Sequence, residues 1–187
     1  MTKRDVSASM LDVFVSALDA AGDVAEGRTV IQKWCFFTSV KLGLQFDFAP
    51  HHYGPYSARL SDMMTSLVTS DFLVERPRIT KGGRTVYCYK LTDDGRALAS
   101  EIEARSRHVH STAKGVVQVC TDVVGNNIDI LSWAAKVYFI LTQEGRTVAY
   151  DEVCSLAEKL GWQLSDKEID SAMKLLRALK LATVSKN

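Results

Sequence analysis

The chain has 187 residues, 47% hydrophobic and 24% charged, and its 23 lysines and arginines against 22 aspartates and glutamates leave a net charge of +1. That length suffices for one sizeable domain or two small ones, and that composition excludes a disordered chain. Near-neutrality argues against a uniformly basic nucleic-acid binder, so any such contact must come from a local patch.

No apolar run reaches the length of a membrane span, so no membrane partner is expected. Met1-Thr2-Lys3-Arg4-Asp5 is basic but has no uninterrupted apolar core behind it, because Asp12 and Asp19 intervene; no signal peptide is predicted. Cys35, Cys88, Cys120 and Cys154 are far apart in apolar contexts. They read as buried free thiols in a reducing, cytoplasmic compartment, and their spacing matches no zinc site.

The first predicted helix covers residues 8–21, where Met10, Leu11, Phe14, Val15 and Leu18 follow the helical period. Gly22-Asp23 breaks it. A second helix, 29–42, has an apolar face so wide (Val30, Ile31, Trp34, Cys35, Phe36, Phe37, Val40) that a central position is expected, with Gly43 ending it. Leu44, Phe46 and Phe48 alternate with polar residues and predict a strand over 44–50. His51, His52, Tyr53, Gly54, Pro55, Tyr56 and Ser57 follow as a dense turn, expected to pack through Tyr53, Pro55 and Tyr56 against Trp34 or Phe37. A third helix over 56–69 buries Leu60, Met63, Met64, Leu67 and Val68. Phe72 to Thr80 forms an edge strand containing Pro77, Lys81-Gly82-Gly83-Arg84 a hairpin turn, and Thr85 to Leu91 the return strand. Thr92 or Asp93 then caps a helix from 95, with Asp94 favoured by the helix dipole.

Residues 95–124 read as one long helix or two shorter ones broken near His108 to Thr112. Gly125-Asn126-Asn127 closes this part. Helices over 131–142, 149–160 and 166–179 follow, with at best a short strand at Leu181 to Val184.

The chain also repeats itself. Gly27-Arg28-Thr29-Val30 recurs as Gly145-Arg146-Thr147-Val148, and Lys41-Leu42-Gly43-Leu44-Gln45-Phe46 is echoed by Lys159-Leu160-Gly161-Trp162-Gln163-Leu164, both at an offset of 118 residues. Met64, Leu67 and Phe72 align in turn with Met173, Leu176 and Leu181, across a shorter connection. The expected fold is mainly α with a small β hairpin: a winged helix-turn-helix over 8–106, followed by a wingless helical unit over 107–187 that partly repeats it.

Arg76, Arg78, Lys81, Arg84 and Lys90 gather on the predicted wing, where cations give affinity for a phosphate backbone without reading sequence. The same side chains would equally solvate an exposed sheet edge. On the third helix only Arg59 is a strong base or phosphate partner, and Asp62 would repel a backbone. His51, His52, Tyr53 and Tyr56 form a turn or interaction surface. Two adjacent histidines without further partners do not make a metal site, and His108 and His110 are distant. Arg28 and Arg146 read as structural residues at helix entrances, pairing with an aspartate or with carbonyls of a neighbouring helix. No nucleophile motif or phosphate loop is present, so no enzyme activity, cofactor or metal is expected.

Gly27-Arg28-Thr29 with Ile31-Gln32-Lys33, then Phe36-Phe37, and later His52-Tyr53-Gly54-Pro55-Tyr56-Ser57 with Leu60, resembles the YwgA-like group of prokaryotic proteins. That group is distantly similar to the antitoxin-associated SocA/Panacea domain. The likeness covers roughly residues 10–100, and the Tyr-Gly-Pro-Tyr-Ser turn is its specific part; Trp34 departs from the aliphatic residue usual at its position. The resemblance implies a winged-helix-like scaffold and a role in regulation or toxin neutralisation, with no catalytic residues. Two functions follow. One is a DNA-binding transcriptional regulator, possible as a homodimer through 95–106 and 110–124, with duplex DNA as partner. The other is a protein-interaction module, antitoxin-like or an assembly protein, without nucleic acid.

Overall fold

The structure, a computed structural model, describes residues 8–22, 24–144 and 148–182. Among these, eight helices and three strands follow in the order α1 (Met10–Ala21), β1 (Ala25–Glu26), α2 (Arg28–Lys41), α3 (Ala58–Thr69), β2 (Leu73–Ile79), β3 (Thr85–Leu91), α4 (Asp93–Arg105), α5 (Arg107–Val124), α6 (Ile128–Glu144), α7 (Tyr150–Lys159) and α8 (Asp166–Ala178). The fold is mainly helical with one small antiparallel sheet. No described helix is long and apolar enough to cross a membrane.

Local chemistry sets the helix starts. Ser9 and Asp12 form a reciprocal capping box on α1, and Asp12 also pairs with Arg105 at the end of α4. Burial would raise the Asp12 carboxyl, but the Ser9 amide, Arg105 and the Ser9 hydroxyl together hold it below its ordinary value. Ser57 caps α3 by accepting the Leu60 N–H at 3.0 Å, and Thr92 caps α4 through the Gly95 N–H at 3.1 Å. Asn127 accepts the Asp129 and Ile130 amides at the start of α6. Ser165 and Glu168 make a second capping box on α8.

The Lys-Leu-Gly block ends a helix in both copies, with matching geometry. At the end of α2, Gly43 has φ +67° and the Leu44 N–H donates to the Ser39 carbonyl; at the end of α7, Gly161 has φ +73° and the Trp162 N–H donates to the Ala157 carbonyl. Both are the glycine-terminated turn that satisfies orphan carbonyls. The ends of α3 and α8 also correspond: Phe72 donates to Leu67 and Leu181 to Leu176. Gly145, Arg146 and Thr147 lie outside the described residues, as do Thr183 and Val184; Leu181 and Ala182 are not in a strand.

Helix α2 is the centre of the molecule. Ten consecutive residues, Val30 to Ser39, are buried, and α1, α5 and α6 pack around it. Ser106 closes α4 and precedes α5. Helix α5 packs on α1 and α2, and α6 on α8. The core is continuous from Met10 to Leu179. His110 on α5 reaches Asp19 on α1 at 2.9 Å and Glu103 on α4 at 3.7 Å.

Three expectations need correction. Residues 44–50 form no strand; the segment has one isolated bridge, Ala49 to Tyr56. Leu44, Phe46 and Phe48 are half-buried and their polar neighbours exposed, so the alternation reports one-sided burial of an extended chain with no strand beside it. The helix break lies at Ser106 rather than at His108 to Thr112, because Val109, His110 and Ala113 share the buried face of α5. Of the four thiols, Cys35 and Cys120 are buried, while Cys88 and Cys154 are only half-buried.

Candidate nucleic-acid interface

The sheet order is β1-β3-β2, all antiparallel, with β3 central and β2 at an edge next to α3. The register pairs Val74 with Lys90, Arg76 with Cys88 and Arg78 with Val86. Side chains alternate across a sheet, so Arg76, Arg78 and Lys90 share one face, together with Glu26, which pairs with Cys88. Arg78 makes a 2.5 Å ion pair with Glu26 across β3. Bonds to Cys88 and Glu26 raise its already high pKa. Lys81 and Arg84 are exposed in the turn, which closes through Thr80 N–H to Arg84 O at 2.8 Å and Gly83 N–H to Thr80 O at 2.9 Å.

The opposite face anchors the hairpin. Leu73, Tyr89 and Leu91 are buried there. Arg28, the first residue of α2, donates through Nε to the Tyr89 hydroxyl at 2.6 Å and through Nη2 to Glu75 at 2.7 Å, and the Tyr89 hydroxyl donates to Glu75. Burial would raise the Glu75 carboxyl, but Arg28 and Tyr89 hold it below its ordinary value; burial and the Glu75 bond push the Tyr89 phenol up. Arg28 is structural, as expected, but its partners are a glutamate and a tyrosine on the hairpin rather than an aspartate or helix carbonyls. Towards the tip this face opens, and Ile79 is 73% and Tyr87 45% exposed.

Arg59 is exposed near the start of α3, about 15 Å of helix rise from the turn that leads into β2. Farther along α3, Thr65, Ser66 and Thr69 donate their hydroxyl protons back to the carbonyls of Ser61, Asp62 and Thr65. Those protons are spent within the helix.

The turn at His51 to Ser57 is fixed by polar bonds that the sequence reading missed. The buried Gln32 side chain donates to Ser57 O at 2.9 Å and accepts from Ser57 N–H at 3.1 Å. Buried Lys33 donates to Pro55 O at 2.7 Å. Burial, aided by Lys136, pushes the Lys33 ammonium down to about 7. Gly54 has φ +83° and lies so close to α6 that a Cβ would sit 3.1 Å from Ser132 O and from Lys136 Cγ. Trp162 donates its indole N–H to His51 O at 2.7 Å. The turn is thus clamped by α2, α6 and Trp162, and the Trp34 indole N–H donates to Asn126 at 3.2 Å. The His51 ring lies against Tyr56 and the His52 ring against Tyr53; His51, His52 and Tyr53 are exposed and Tyr56 half-buried. A polar Gln-Lys pair inside an otherwise apolar helical run was the signal available, since buried polar groups need partners.

No cluster of three or more histidine, cysteine or carboxylate side chains suited to a metal occurs among the described residues. Compared with protein-family models and with curated protein sequences, the chain matches none.

Proposed function

We propose that residues 8–106 form a winged helix-turn-helix that binds duplex DNA and that the protein acts as a transcriptional regulator, with residues 107–187 a wingless partial repeat that supports it. The observation that carries this reading is the basic hairpin on its particular topology. The order α1-β1-α2-α3-β2-β3 with strands arranged β1-β3-β2 is that of a winged helix, with β2 and β3 as the wing and α3 in the recognition position. Arg76, Arg78, Lys81 and Arg84 are exposed on that wing. The resemblance to the YwgA-like group points the same way.

Such a protein binds mainly through phosphates. Helix α3 offers one cation and back-bonded hydroxyls, so base readout is weak and the wing supplies most of the affinity. In fluorescence anisotropy with a random-sequence duplex at low salt, the double substitution Arg78→Ala and Arg84→Ala should weaken binding about tenfold. The melting temperature should hardly change, because both side chains are exposed. Unchanged affinity would remove the wing from the interface.

One observation favours a second reading, a protein-interaction module. Ile79 and Tyr87 present apolar surface on the hairpin face opposite the arginines. A homodimer through α5 is less favoured, because Val116, Val117 and Cys120 are buried within the chain.

A further inference from the structure

A groove of about 610 Å³ lies where the end of α1, β1, the start of α2, α5 and the start of α6 meet β3 at Val86. Its volume is in the range of drug-sized ligand sites. Its apolar wall includes Val24, Val30, Trp34, Val86 and Ile128. Val24 and Ile128 are 50% and 39% exposed.

The polar part of the lining narrows the choice of ligand. Asn126 is engaged at both ends: its carbonyl oxygen accepts from Trp34 Nε1 and one of its amide N–H groups donates to Thr121 Oγ1 at 3.0 Å. The Thr121 hydroxyl donates to Val117 O at 2.9 Å, and Gln118 Nε2 donates to Asp122 at 2.8 Å. Among the described lining residues the one formal charge is the Glu26 carboxylate, and none of them is a lysine or arginine. Arg78 engages Glu26 through Oε2, which leaves Oε1 open among the described residues.

We infer that this groove is a binding site for a small organic cation, an ammonium or amidinium group carried on an apolar body. The body fills the wall formed by Val24, Trp34 and Ile128, and the charged group pairs with Glu26. An anion would be repelled by the Glu26 carboxylate, and a neutral apolar molecule would desolvate the Glu26–Arg78 pair without adding a partner to it. The site does not depend on the nucleic-acid reading, and failure of duplex binding leaves it standing.

Three probes of one shape test it: 2-naphthylmethylammonium, 2-naphthylmethanol and 2-naphthoate. Each is titrated into the full chain by calorimetry, with the Trp34 indole N–H followed by NMR. The ammonium should bind at least tenfold more tightly than the alcohol, the naphthoate most weakly, and the Trp34 resonance should shift. Glu26→Gln should reduce the ammonium to the affinity of the alcohol and leave the alcohol unchanged. Val24→Trp, at an exposed position, should block both. Equal affinity for ammonium and alcohol, indifference to Glu26→Gln, indifference to Val24→Trp, or no binding of any probe would each overturn the assignment.

Discussion

Gly95→Ala should destabilise the protein by about 2–3 kcal/mol, although the substitution lies in a helix where alanine ordinarily gains about 1 kcal/mol over glycine. Gly95 is in the first turn of α4, and a Cβ there would sit 2.2 Å from the Phe72 carbonyl oxygen and 3.2 Å from Leu91 Cβ and Cδ2. The carbonyl cannot yield cheaply. It accepts the Thr92 N–H at 3.2 Å, Thr92 Oγ1 donates to the adjoining Asp71 carbonyl at 2.7 Å, and Leu73 pairs with Leu91 in the next step of the chain. Relief therefore requires α4 to move away from the hairpin base. Gly115, in α5, is the control: a Cβ there meets nothing within 4 Å, so Gly115→Ala should stabilise by up to about 1 kcal/mol. Urea unfolding of both variants checks the pair, and a stabilised Gly95→Ala would refute the close approach of α4 to the α3–β2 turn.

Lys33→Met should flatten a rise in stability with pH that the parent protein shows. Burial and the nearby Lys136 charge depress the folded-state Lys33 to about 7 from the ordinary lysine value of 10.5. Between those values the unfolded chain holds a proton that the folded chain has released, so unfolding free energy increases with pH. Below pH 7 both states are charged and the burial penalty is present in full. From pH 6 to 8.5 the parent should gain on the order of 2 kcal/mol through this group, approaching the limiting slope of about 1.4 kcal/mol per pH unit. Two other sets of groups titrate near this range. Lys136 is lowered, by burial, and acts in the same direction. Burial raises Cys35 and pushes Cys120 up to about 12, so they act oppositely above pH 9. The difference between parent and Lys33→Met, measured by denaturant unfolding at each pH, cancels the thiols and leaves Lys33 with its coupling to Lys136. A difference independent of pH would show that Lys33 is not buried against Pro55.

Sequence periodicity located most of the helical framework because the apolar stripes are regular: Val13, Phe14, Ala17 and Leu18 on α1, and Ile169, Ala172, Met173 and Leu176 on α8, are all buried. The hairpin was legible from Lys81-Gly82-Gly83-Arg84 flanked by β-forming residues. What escaped has physical causes. Strand β1 is two residues long and is defined by its pairing with Tyr89 and Cys88, not by any pattern of its own. The 44–50 segment mimics a strand because a chain lying extended on a core alternates just as a strand does. The basic residues of the wing were readable as a cluster in sequence, but the pairing of Arg78 with Glu26 joins residues 52 positions apart. The groove has no linear signature, since its lining comes from six helices and strands and its chemistry depends on which polar groups are already bonded.

Salt dependence of duplex binding bears most directly on the proposed function. If Arg76, Arg78, Lys81 and Arg84 lie along a phosphate backbone, the logarithm of the association constant should fall with the logarithm of salt concentration at a slope of about −3 to −4. Arg78→Ala with Arg84→Ala should make that slope shallower by about 2. Absence of binding to a random-sequence duplex at low salt, or binding whose slope is unaffected by the double substitution, would contradict the assignment of the hairpin as a nucleic-acid-binding wing.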